Sequence, residues 1–166
     1  MCIRDRCFAW TCAPPRDFSV FDLSLPSYLF PSDAIVDVLQ PDTETFGARD
    51  AGNMTVYWSS GRGLAIYNVR QFSSSVRAEK FYSTLRSLDD PYYHPTTDVS
   101  FNSQLADSFA LGCGFSEFGG YRCDMTAQYE EFVISFNSII DDEMSFGQFE
   151  EIANFIDARI RSEMEP

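Results

Sequence analysis

DSFALGCGFSEFGGYRCDMTAQYEEFVISFNSII, residues Asp107 to Ile140, is the stretch from which the fold is read. Phe109, Leu111, Cys113 and Phe115 lie two apart and therefore share one face of a strand. Tyr121, Cys123, Met125 and Ala127 do the same on the next run. Between them, Arg122, Asp124, Thr126 and Gln128 read as a solvent face. Setting Cys113 opposite Cys123 pairs Phe115 with Tyr121 and leaves a short loop, Ser116 to Gly120, with two glycines for positive φ. A slip of one residue would put a cysteine opposite Arg122, so the pattern specifies the register. The apolar positions then switch from odd to even at Phe132, Ile134 and Phe136. A two-residue turn at Glu130 and Glu131 requires that switch if one face is to stay buried. It pairs Tyr129 with Phe132, Ala127 with Ile134 and Met125 with Phe136.

Working outward, 166 residues with sixteen Phe and eight Tyr suffice for one well-filled core, despite a formal charge of −13. That acidity argues against nucleic acid, which needs a basic stripe, and against docking on an anionic membrane face. No apolar run approaches the ~18 residues of a membrane-spanning helix. Lys80 is the single lysine beside eleven arginines.

Upstream of the meander, residues 34–39 (AIVDVL) alternate weakly and read as a strand, with a short helix after Ser32 as the rival. Residues 48–53 (ARDAGN) read as a loop. Met54 to Trp58 and Leu64 to Gln71 form a hairpin around a Ser-Ser-Gly-Arg-Gly turn. A helix follows, capped by one of Ser73, Ser74 and Ser75, with Ala78, Phe81, Tyr82, Leu85 and Leu88 as its buried stripe. Residues 92–106 form a long polar loop. After the meander, Ser145 and Gln148 make a capping box, and Met144 with Phe149 a hydrophobic staple. The second helix buries Phe149, Ile152, Ala153, Ile156 and Ile160, with Asp157 and Arg161 spaced for a surface ion pair. The expected fold is α+β: an antiparallel sheet of five or six strands with two packed helices, in the order βββαβββα. It forms a single domain over residues 25–166.

Residues 1–24 read differently. Met1 to Arg6 (MCIRDR) resembles the translated end of a transposon adapter used in sequencing libraries. That resemblance implies that these six residues, and Cys2 with them, are not native sequence. Residues 7–24 read as an N-terminal tether kept mostly out of the core. Cys12 is a candidate lipidated residue, the only expected link to a membrane. An ordinary N-terminal coil is the alternative.

The strongest chemical feature is the Cys113–Cys123 pair, within disulfide range if the register holds and implying an oxidising, extracytoplasmic compartment. Two buried free thiols are the alternative. His94 is the only histidine. The sequence has no GxSxG elbow, no phosphate loop and no calcium loop, and neither cofactor nor metal is expected. The candidate binding residues are Tyr92, Tyr93, His94 and Phe101, rings placed in a polar loop, with Trp58 and Tyr67 beside them. The competing reading makes these rings a cover for one edge of the core. Function is therefore read as a non-catalytic extracytoplasmic domain, tethered to a bacterial envelope, that binds a small ligand or an envelope protein. The alternative is a hydrolase using His94 with a carboxylate such as Asp98.

The runs RCDMTAQYEEFVISF and DDEMSFGQFEEIANFIDARI resemble the C-terminal half of uncharacterised bacterial secreted or lipoprotein-type domains, over residues 105–164. The motifs are structural, so the resemblance implies export and no functional residue. The element order is also similar to that of PsbP and Mog-type antiparallel sandwiches, which implies architecture alone.

Overall fold

In the computed structural model, residues 12–87, 94–116 and 119–164 are described. The meander pairs as its side-chain parity requires. Strands β5 (Ser108–Phe115), β6 (Tyr121–Tyr129) and β7 (Phe132–Ile140) are antiparallel. Cys113 opposes Cys123, Ala127 opposes Ile134 and Met125 opposes Phe136. Cys113 and Cys123 are disulfide-bonded and buried. Gly119 and Gly120 take φ of +90° and +82° in the first turn, and Glu130 takes +48° in the second.

Strands β3 (Asp50–Trp58) and β4 (Gly63–Gln71) form the expected hairpin, and β4 then pairs with β7. With β1 spanning Ile35–Val36, the sheet order is β1-β3-β4-β7-β6-β5, and the short β2 (Gln40–Pro41) is also on β3. It is an antiparallel α+β sheet, with β4 and β7 at its centre.

The single strand expected over residues 34–39 is instead two short ones. Val36 of β1 (Ile35–Val36) opposes Val56, while Gln40 of β2 opposes Asn53: four steps against three. The extra residue is a bulge, and it reverses side-chain parity. Leu39 therefore turns inward over Gly52, where a Cβ would lie 2.9 Å from its Cγ. Pairing on both sides also draws Asp50 to Asn53 into β3, so the loop expected there is strand despite its weak β-formers.

The helices lie on opposite faces of the sheet. Helix α2 (Phe146–Met164) buries Phe149, Ile152, Ala153, Ile156 and Ile160 on the face that carries Phe132, Ile134 and Phe136. Its capping box is in place: the Ser145 N–H donates to Gln148 Oε1 at 2.9 Å, and the Gln148 N–H donates to Ser145 Oγ at 3.3 Å. Helix α1 (Ser75–Ser87) covers the other face, packing Ala78, Phe81, Tyr82 and Leu85 around Phe72 and Val133. Its cap is Ser74, whose Oγ accepts from the Arg77 N–H at 3.3 Å. Leu88 lies outside the described residues. Because α1 sits there, Thr126 and Gln128 are buried, correcting the solvent face expected for them. The Gln128 amide donates to the Ser75 carbonyl.

Two further expectations are corrected. The segment read as a tether packs into the fold from Ala13 onward. Val20 and Leu23, in a 3₁₀ turn, are buried in the main core, and Phe18 stacks on Phe132 with centroids 5.3 Å apart. Asp157, read as half of a surface ion pair with Arg161, is buried instead. Its Oδ1 accepts from the Tyr129 hydroxyl at 2.8 Å and from Ser103 Oγ.

Tyr67 and Tyr129 give the core a pH response. The Tyr67 hydroxyl donates to the Leu23 carbonyl at 3.0 Å. Burial holds the Tyr67 phenol well above its ordinary range, and burial next to Asp157 does the same for Tyr129. The folded chain keeps both protons where the unfolded chain releases them, near pH ~10. Their contribution is thus complete below that pH and is lost as pH rises through it, by up to about 1.4 kcal/mol per pH unit per tyrosine. Urea midpoints between pH 9 and 11 should fall accordingly, and Tyr67→Phe should make the fall shallower.

Candidate functional site

Among the described residues, the candidates do not assemble as one cluster. Tyr92 and Tyr93 lie outside the described residues. Trp58 and Tyr67 belong to the core, which corrects their placement at a binding surface. Their polar tips are satisfied internally, the indole N–H by Asp141 Oδ2 at 3.0 Å and the phenol by Leu23. Phe101 lies edge-on to Phe109 at 5.5 Å and packs against the core. Its loop is held to α2 by Ser103 on Asp157 and Ser100 on Glu150.

His94 is exposed, and its backbone exchanges hydrogen bonds of 3.0 and 2.9 Å with Cys113. His94 borders a hollow of about 390 Å³ with Thr96, Phe115 and Tyr121, where no carboxylate among the described residues forms part of the wall. Asp98, the carboxylate named with it in the hydrolase reading, accepts from the Thr96 hydroxyl at 3.0 Å. Cys12 is disulfide-bonded.

A second hollow, of about 480 Å³, has Glu79, Asp107, Glu130 and Glu131 in its wall. Most of that charge serves the fold. Arg16 Nε and Nη2 donate to the two oxygens of Glu131 at 2.8 and 3.0 Å, and Nη2 also reaches Glu130. Both carboxylates hold the Arg16 guanidinium protonated beyond its ordinary range, Glu131 foremost. Asp107 accepts the Glu130 N–H at 2.7 Å. Among the described residues, no group of three or more His, Cys, Asp and Glu is arranged to hold a metal ion.

The third hollow, of about 460 Å³, is of another kind. Phe72 at the end of β4 and Phe81 on α1 form its floor, their ring centroids 5.1 Å apart. Phe46 closes one side, 5.9 Å from Phe81. Arg77, Lys80, Phe81 and Thr84 recur at i, i+3, i+4 and i+7, so one face of α1 supplies the opposite wall. Behind the rings, the Arg70 guanidinium lies 5.1 Å from the Phe46 centroid and 5.5 Å from that of Phe81. Arg70 is buried and donates to Asp42 Oδ2 at 2.9 Å, yet its Nε has no acceptor among the described residues. Burial pulls the Arg70 guanidinium below its ordinary range, and Asp42 opposes the shift.

Phe46 is the unusual member. It takes φ +50°, a left-handed conformation that a bulky side chain rarely adopts, and it remains 61% exposed. Holding it there costs on the order of 1–3 kcal/mol, a strain that concentrates at functional sites. Nothing in the periodicity of residues 42–49 pointed to Phe46. The second stripe of α1, Arg77-Lys80-Phe81-Thr84, was readable beside the core stripe.

Comparison with protein-family models, curated proteins and solved structures finds no match.

Proposed function

We propose that this chain is a non-catalytic extracytoplasmic domain, secreted or associated with an envelope, that holds a small ligand in the hollow between Phe46 and α1. The observation that carries the reading is Phe46 itself, a large ring in left-handed backbone, exposed on one side and backed by Arg70 and Phe81. Aromatic floors with a few polar groups at the rim are the usual make-up of small-molecule sites, and about 460 Å³ falls within their common range of roughly 300–1,000 Å³. The groups that converge here are contact and charge residues, suited to holding a molecule. The compartment is inferred from the Cys113–Cys123 disulfide, since such bonds persist where the surroundings are oxidising. Native mass spectrometry of the protein isolated from its own cells tests the reading. The wild type should carry a small-molecule adduct, and Phe46→Ala should not.

A further inference from the structure

We infer that the ligand of the Phe46 hollow is an amphipathic anion: an apolar body seated on Phe46, Phe72 and Phe81, and a negatively charged head held by Arg77 and Lys80. The inference rests on the hollow being the binding site. Its own support is electrostatic. The chain carries a net charge of −13, yet both ionisable side chains in this wall are cationic, and one of them is the only lysine. Neither Arg77 nor Lys80 has an ion-pair partner among the described residues. The carboxylate in the same stretch of α1, Glu79, borders the other hollow.

Arg70 backs the floor without adding net charge, because Asp42 and Glu44 offset it. Asp42 takes its Nη2, but the guanidinium plane remains behind the two rings and its Nε stays unpaired. A buried donor without an acceptor is uncommon and costly. An uncharged apolar ligand would use the rings and leave both rim cations idle. A cationic one would be repelled by Arg77 and Lys80 together.

Three eight-carbon probes separate these cases: octanoate, octanol and octylammonium, titrated calorimetrically into the wild type, Phe46→Ala and Arg77→Gln/Lys80→Gln. Both rim residues are exposed, so the double variant should melt with the wild type. The wild type should bind octanoate tightest and octylammonium weakest. The double variant should lose roughly tenfold in octanoate affinity while octanol changes less than about twofold. Raising the salt should weaken octanoate alone. Octyl phosphate, run alongside, tells a phosphate head from a carboxylate; tighter binding of either than of octanol supports the inference. Binding of both anionic probes no tighter than that of octanol, or an unchanged affinity for them in the double variant, overturns the anionic ligand. If Phe46→Ala still weakens every probe in that case, the hollow itself stands as the site. If no probe binds, or Phe46→Ala changes nothing, the hollow is not the site and the inference falls with it.

Discussion

Replacing Arg16 by alanine is expected to destabilise the fold by about 3–5 kcal/mol, a fall in melting temperature on the order of 10 °C. Glu131 is 1% exposed at its side chain, and Arg16, at 12%, reaches it with two nitrogens. Removing the arginine leaves an ionised carboxylate buried beside α1 with its main partner gone. The cost is therefore that of stranding a charge, which greatly exceeds the net value of the pair. A double variant, Arg16→Met with Glu131→Leu, should recover most of the loss, because an apolar pair of similar volume removes the stranded charge. The single variant also tests the N-terminal segment. If residues 13–24 were a loose tether, Arg16→Ala would change the denaturation midpoint by no more than an ordinary surface substitution, within about 0.5 kcal/mol.

The other large effect is expected at Gly63. A Cβ built there would lie 2.0 Å from Cε2 and Nε1 of Trp58, an overlap that no small adjustment relieves. The indole is buried and held by its hydrogen bond to Asp141, so it cannot rotate out without losing both. Overpacking of this kind costs about 1–3 kcal/mol, and the broken hydrogen bond adds about 1 more. Gly63→Ala should therefore cost about 3 kcal/mol and shift indole emission toward that of a solvated ring. Gly61→Ala is the control. Its added methyl meets open space, but φ is +86°, so only the backbone penalty of about 1–2 kcal/mol is expected. Equal losses at the two glycines would mean that Trp58 is not packed against Gly63.

What could be read in advance depended on how local the determining contacts are. The register of β5, β6 and β7 follows from parity alone, because one face had to bury Cys113, Met125 and Ile134 across two short turns. The packing of residues 13–24 had no such signal. Arg16 meets Glu131 across 115 positions, and Leu23 meets Tyr67 across 44. Thr126 and Gln128 alternate correctly for a solvent face, and only the arrival of α1 buries them. Trp58 and Tyr67 read as contact residues because they are amphipathic, and they are core because Asp141 and the Leu23 carbonyl satisfy their polar tips. The Phe46 hollow joins three separate stretches: a loop, a strand end and a helix face. Each was visible alone, and no spacing rule connected them. His94 is the single histidine, yet what it shows in the fold is a backbone bridge to Cys113.

The most direct test of the account compares the adduct carried by protein from its own cells across three forms: wild type, Phe46→Ala and Phe115→Ala. Phe46 and Phe115 are both exposed rings, at 61% and 72%, bordering different hollows. Neither substitution should much disturb the core, so melting temperatures should stay close to wild type. Native mass spectrometry should show the same bound small molecule on the wild type and on Phe115→Ala, and none on Phe46→Ala. An adduct that survives Phe46→Ala and disappears with Phe115→Ala would place the site beside His94 and contradict it.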